Sequence, residues 1–248
     1  MNDASAGPAA EAKRRSAELR RRLVAAVPLA AAALGLAYVG GWPFYAAVAL
    51  VVVGMAYEWL RLSLGPTPSG RREPWLAAIG VLAIVVVGLA AGWLRGGPGE
   101  GRAFTLWLFG VVWATDTGAY LVGRAVGGPR LWPRLSPNKT WAGALGGLAA
   151  AVAVAVGLGY GVAAAGWTAG LAAPARLALA GLLVGLLAEA GDLLESAMKR
   201  RYKVKDAGGL IPGHGGLLDR LDGYAPAALG LCLAVLIGGG ESLLWVST

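Results

Sequence analysis

Long apolar blocks separated by short polar and charged segments set the plan of the chain. They run over residues 23–40, 43–60, 75–94, 103–124, 141–166, 177–198 and 224–245. Each is close to the ~20 residues that a helix needs to cross about 30 Å of hydrocarbon. They are continuous and nearly uncharged, unlike the short runs of core strands. Gly and Pro within them are compatible with helix in a membrane, and Trp42, Trp75, Trp93, Trp141 and Trp245 fall where interfacial anchors belong. The pattern predicts an all-α, polytopic transmembrane helical bundle of about seven spans.

Composition sharpens this. Of 248 residues, 57% are hydrophobic and 15% charged, against about 45–50% and 25% in soluble domains. A soluble enzyme, a secreted disulfide scaffold and a disordered chain are excluded. The single cysteine, Cys232, lies in an apolar run and supports neither an intrachain disulfide nor a thiolate metal site.

The net charge of +8 has meaning only through its placement, and it does not imply a nucleic-acid partner. With the N-terminus cytoplasmic, only Arg95, Arg102 and Arg176 of the 22 Lys and Arg residues fall outside. The positive-inside rule therefore predicts an N-in, C-out bundle. Residues 1–22 read as a basic cytoplasmic tail on the anionic leaflet, 23–102 as an N-terminal transmembrane region, and 103–248 as a catalytic transmembrane region with cytoplasmic loops.

Ionisable residues inside spans are costly and mark function. Asp116 lies in the fourth block; Glu189, Asp192 and Glu195 form a slowly drifting stripe toward the cytoplasmic end of the sixth, continued by Ser196 and Lys199. The loop that follows is the densest polar segment. Its basic run Lys199-Arg200-Arg201-Tyr202-Lys203-Val204-Lys205 leads through Asp206 into the glycine-rich turn Pro212-Gly213-His214-Gly215-Gly216, and then to Asp219-Arg220-Leu221-Asp222. Basic side chains hold phosphates, glycines let backbone N–H groups approach them, and hard carboxylate oxygens suit Mg²⁺ shared with a substrate phosphate. Together they point to phosphoryl or nucleotidyl chemistry at the membrane surface. On the same side, Ser136, Lys139 and Thr140 stand at the start of the fifth helix, where an anion would be welcome. Thr140 also reads as an N-cap, and Gly143, Gly146 and Gly147 as a close packing face; that face suits intramolecular packing or a homodimer equally well.

The stretch Gly191-Asp192-Leu193-Leu194-Glu195-Ser196-Ala197-Met198-Lys199-Arg200, with Lys205-Asp206, Pro212-Gly213-His214-Gly215-Gly216 and Asp219-Arg220-Leu221-Asp222, closely resembles the signature of phosphatidate cytidylyltransferases, or CDP-diacylglycerol synthases. Asp116-Thr117-Gly118-Ala119-Tyr120 and Ser136-Pro137-Asn138-Lys139-Thr140-Trp141 resemble that family's second block. The resemblance covers about residues 107–226; the N-terminal third is similar only in being apolar.

It implies transfer of CMP from CTP to phosphatidate with release of pyrophosphate, Mg²⁺ dependence with K⁺ as a candidate second ion, and a multi-pass protein of the cell inner membrane whose active site faces the cytoplasm. Carried over by position, Asp192 and Asp219 are the leading metal ligands, with Asp222 and Asp206 after them. Charge and position place Lys199, Arg200 and Lys205 on the triphosphate or lipid headgroup. Ser136, Lys139 and Thr140 would close the site from the other side, and His214 would hydrogen-bond a phosphate or assist proton movement. Ser196, Arg220 and Asp116 complete the substrate-facing set.

Two positions depart from the family pattern. Ala142 stands where an acidic residue usually follows Lys-Thr-Trp, and Gly223 where a small polar residue follows Asp222. Two other activities compete: a CTP transferase acting on an ether-linked or isoprenoid phosphate, and a small ion-coupled transporter. A CDP-alcohol phosphotransferase fits poorly, because Pro226-Ala227 replaces the Ala-Arg its aspartate motif requires.

Overall fold

The computed structural model describes residues 27–97, 100–168, 173–211 and 215–237. The chain runs through α1 (Val27–Val39), α2 (Gly41–Leu64), α3 (Pro74–Gly96), α4 (Gly101–Val126), β1 (Arg130–Trp132), β2 (Ser136–Thr140), α5 (Trp141–Ala164), α6 (Pro174–Tyr202), α7 (Leu218–Leu221) and α8 (Tyr224–Ile237). Every apolar block is helical over its described residues except at its ends, at Gly40, Ala165 and Gly166. Four helices, α2, α3, α5 and α6, are long and apolar enough to cross a membrane. Helix α4 has the length but carries Arg102, Asp116 and Arg124, and α1 and α8 are shorter over their described residues. The expected tail, residues 1–22, lies outside the described residues.

The helix starts follow from local chemistry. Pro74 and Pro174 open α3 and α6, where a missing N–H costs nothing and φ is already helical. Thr140 caps α5, its Oγ1 accepting the Gly143 N–H at 3.1 Å. Helix α6 ends at Lys203, in the left-handed region at φ 55°, with the Val204 N–H returning to the Lys199 carbonyl at 2.9 Å.

The hairpin amends the expectation of an all-helical chain. Pro129, Pro133 and Pro137 recur every four residues, and Pro133 and Pro137 steer Trp132 and Ser136 toward extended backbone. Antiparallel pairing joins Arg130 to Thr140 and Trp132 to Ser136 across an irregular register.

Two clusters of buried side chains hold the helices. The larger lies among α3, α4, α5, α6 and α8 and includes Trp107, Leu108, Val111, Leu177, Val184 and Leu231. Trp107 Nε1 donates to the Ala155 carbonyl at 2.8 Å, tying α4 to α5. These two helices approach closely because glycines meet: a Cβ on Gly143 would stand 2.9 Å from the Ala119 carbonyl, and one on Gly147 2.8 Å from that of Thr115. Gly143, Gly146 and Gly147 are thus used within the chain.

The smaller cluster gathers Met55, Trp59 and Leu62 of α2, Ile84 of α3, Tyr202 at the end of α6 and Ala207 beyond it. Glu73, just before α3, pins this end of the molecule. It accepts from Arg201 Nε and the Tyr202 hydroxyl, each at 2.9 Å, and pairs also with Arg201 Nη2.

Two outcomes are expected in thermal unfolding of the detergent-purified protein. Gly143→Ala lowers stability by about 1–3 kcal/mol, because backbone must move to admit the methyl, whereas Gly157→Ala, which meets open space, leaves it unchanged or slightly raised. The Arg201 hydrogen bonds, aided by Tyr202, hold the Glu73 carboxyl at about 2 against a usual 4.5. Its folded value lies below its unfolded one, so its stabilisation is complete above about pH 4.5 and fades as pH falls toward 2. The midpoint of Glu73→Gln should lie below that of the wild type at neutral pH, and the two should converge through this window.

Candidate active site

The two polar blocks of the sequence meet at one end of the bundle. The hairpin carries Lys139 to the start of α5, where its Nζ lies 2.6 Å from Asp192 Oδ2 on α6. Arg200 Nε reaches the Leu135 carbonyl at 3.3 Å, a second tie between hairpin and α6. Asp116 of α4 is within electrostatic reach of both Asp192 and Lys139.

Asp192, Glu195 and Asp222 bring carboxylate oxygens within 4.8 Å of one another. Three half-buried carboxylates so close repel unless cations lie among them. Burial, and then the charges of Asp192 and Asp116, push the Asp222 carboxyl up to about 7. Glu195 Oε1 is buried and accepts no hydrogen bond among the described residues. An orphaned oxygen in a hard-oxygen set fits a divalent cation such as Mg²⁺.

Asp219 is not one of these three, although it lies beside Glu195. Its Oδ1 pairs with Lys199 Nζ at 3.0 Å, and its Oδ2 accepts N–H groups from Ala207 and Gly216, both at 3.0 Å. Burial alone would raise this carboxyl; the adjacent Glu195 carboxyl, the Lys199 ammonium and the two backbone donors outweigh it and hold it at about 2. Lys199 also pairs with Glu195 one helical turn back, and so links Asp219 to the acidic group.

The other expected site residues are dispersed around this centre. Ser136 is half-buried in the hairpin and Ser196 on α6, while Arg200, Lys205, Asp206 and Arg220 are exposed. Thr140 uses its oxygen as the α5 cap. His214 lies outside the described residues.

Two residues gain weight that the sequence alone had not given them. Glu195 joins the acidic group, although only its place on the stripe had drawn attention. Glu58 of α2 is 2% exposed and accepts the Leu210 and Leu218 N–H groups on separate oxygens, each at 3.1 Å. Its signal was available: it is the one acidic or basic residue in block 43–60.

Behind α7 lies a largely apolar cavity of about 580 Å³ between α1, α2, α3 and the start of α8. Leu217, Arg220, Leu221 and Tyr224 form its wall toward the carboxylates.

The profile of the cytidylyltransferase family matches residues 65–237. A phosphatidate cytidylyltransferase of Brucella suis biovar 1 (strain 1330) is 38% identical over 252 residues, covering 85% of this chain and 90% of that protein. One from Bacillus subtilis (strain 168) is 44% identical over 115 residues, 46% of this chain and 40% of that protein. One from Staphylococcus saprophyticus subsp. saprophyticus is 41% identical over 127 residues, 50% of this chain and 46% of that protein. The matched segment holds Lys139, Asp192, Glu195, Lys199, Asp219 and Asp222, all the residues around which the polar end of the bundle is built. On the extent of these matches, the chain belongs to the cytidylyltransferase family.

Proposed function

We propose that this protein transfers CMP from CTP to phosphatidate, forming CDP-diacylglycerol and pyrophosphate. The observation that carries the reading is the meeting of an acidic triad and two lysines, on one side of α7, with an apolar cavity on the other. Few reactions need a highly charged, water-soluble substrate and a membrane lipid at one point.

In the reaction a phosphate oxygen of phosphatidate bonds to the α-phosphorus of CTP as the bond from that phosphorus to the pyrophosphate oxygen breaks. The nucleophile is already anionic, so no side chain need remove a proton from it. The chain's task is to bring anions together and stabilise charge that moves onto the leaving group. Lys139 and Lys199 stand beside the acidic triad as fixed cations, and Arg200 and Lys205 extend positive charge outward toward solvent. Arg220, at the wall of the cavity, is placed for the lipid phosphate while the acyl chains fill the apolar space among α1, α2 and α3. Asp192, Glu195 and Asp222 would hold Mg²⁺, which when bound neutralises phosphate charge and favours departure of pyrophosphate.

The same reading places the polar end at the cytoplasmic face of the inner membrane, since CTP is water-soluble and the basic segments concentrate at that end. It gives residues 103–248 the reacting groups and residues 23–102 the lipid-facing walls. Ionisable groups gathered at one end favour this over the ion-coupled transporter, which calls for charge near the bilayer centre.

The test is formation of CDP-lipid and pyrophosphate by the purified full-length protein with CTP and phosphatidate, with Mg²⁺ or with chelator. Turnover should require the metal, and Asp192→Asn and Asp222→Asn should each lower it about a hundredfold or more. Absence of turnover by folded wild-type protein would overturn the reading; turnover only with ether-linked or isoprenoid phosphates would keep the chemistry and change the lipid.

A further inference from the structure

Glu58 is a carboxylate in the middle of an apolar packing layer, with three helices between its own and the first to carry a residue of the acidic triad. It precedes the segment that the family profile matches, and nothing in the motif residues calls for it. Yet both of its oxygens are committed to the segment that leads from α6 to α7. Oε1 accepts from Leu210 and Oε2 from Leu218, each at 3.1 Å. A carboxylate has the acceptors to satisfy two donors on opposite oxygens; an amide has one such oxygen and would present its NH₂ group to the other donor.

The glycines around it fit the same account. A Cβ on Gly216 would lie 2.6 Å from Glu58 Oε2, and one on Gly208 would strike the same carboxylate. Gly54, one turn before Glu58, leaves room for Leu217 and Leu210 to settle on α2. Glycine at 208 and 216 is therefore required by a side chain from another helix as well as by any approach to phosphate.

The consequence runs toward the reacting groups through named contacts. The main chain that Glu58 fixes supplies the Ala207 and Gly216 N–H groups to Asp219. Asp219 holds Lys199, and Lys199 holds Glu195 of the acidic triad. From this chain of contacts we infer that Glu58 is a positioning residue of the nucleotidyl-transfer site: it clamps the main chain at Leu210 and Leu218 and so sets Asp219 and Lys199 against the triad. The inference rests on the cytidylyltransferase reading above and adds to it a residue of the N-terminal region.

A role confined to stability and a positioning role part company in their metal dependence. Loss of folded protein lowers turnover in proportion and leaves the half-saturating Mg²⁺ concentration where it was; a displaced Asp219–Lys199 pair changes how well the triad holds the ion. The experiment compares full-length wild-type protein, Glu58→Gln and, as a control in the same helix, Ser63→Ala, which removes only a bond to the Trp59 carbonyl. Hydrogen–deuterium exchange of peptides covering Leu210 and Leu218 is read beside CDP-lipid formation across a Mg²⁺ titration.

Glu58→Gln should speed exchange in 207–218, raise half-saturating Mg²⁺ several-fold, and lower kcat/KM for CTP about tenfold or more, in line with the loss of one buried charged hydrogen bond. Ser63→Ala should match the wild type in all three. If Glu58→Gln does not fold, Gly216→Ala presses on the same carboxylate from the other side and should give the same pattern. Unchanged Mg²⁺ dependence in the variant, with an active wild type, overturns the inference alone; an inactive wild type overturns the functional reading on which it rests.

Discussion

Lys199 is the pivot of the polar end. Its ammonium lies between Glu195 and Asp219, one carboxylate on its own helix and the other 20 residues on. Removing the lysine would leave two partly buried carboxylates facing each other with no cation between them. The pair thus fixes where α7 stands against α6. Once it does, Asp222 comes to Asp192 and Glu195, and the triad exists. Without Lys199, the like charges at this end would drive α6 and α7 apart.

A membrane bundle cannot rely on water to drive polar segments together, so the segment after α6 is fastened by polar bonds from two other elements. Glu73 grips Arg201 and Tyr202 where α6 ends, and Glu58 grips the main chain further on. The smaller apolar cluster lies between these fastenings, with Tyr202 fully buried. Partial removal from water makes the Tyr202 and Glu58 bonds stronger than they would be on a surface. The N-terminal helices are in this way part of the support of the polar end, although most of its charged residues come from later in the chain.

The sequence was most legible where periodicity and composition speak alone. Apolar blocks of span length folded as helices, and Thr140 and Gly143 took the roles of cap and close contact that their types predict. The hairpin was less legible: the three prolines were visible, but whether they make a loop or a ladder depends on register that nearby residues do not set. At the site, spacing put Asp192, Glu195 and Lys199 on one stripe and Asp219 with Asp222 on another. It could not say which carboxylate turns to backbone donors and which to the triad, because that depends on how two elements far apart in sequence are docked. Glu58 was hidden for a related reason: a buried acid shows its purpose only when its partners are known, and here they are main-chain N–H groups that leave no mark in side-chain chemistry.

Helix α7 shows how few residues this arrangement needs. A reaction between a lipid and a nucleotide requires an apolar compartment and a charged one to share a wall thin enough for two phosphates to touch. Residues three apart on a helix lie on one face. Asp219 and Asp222 accordingly turn toward Lys199 and the triad. Arg220 and Leu221 of the same turn, with Leu217 just before it and Tyr224 at the start of α8, line the cavity. An irregular loop in the same place would leave backbone groups unpaired against lipid. A single turn, held by a lysine on one side and a buried glutamate beneath, meets both demands, and this accounts for the concentration of charge and glycine in the short segment between α6 and α8.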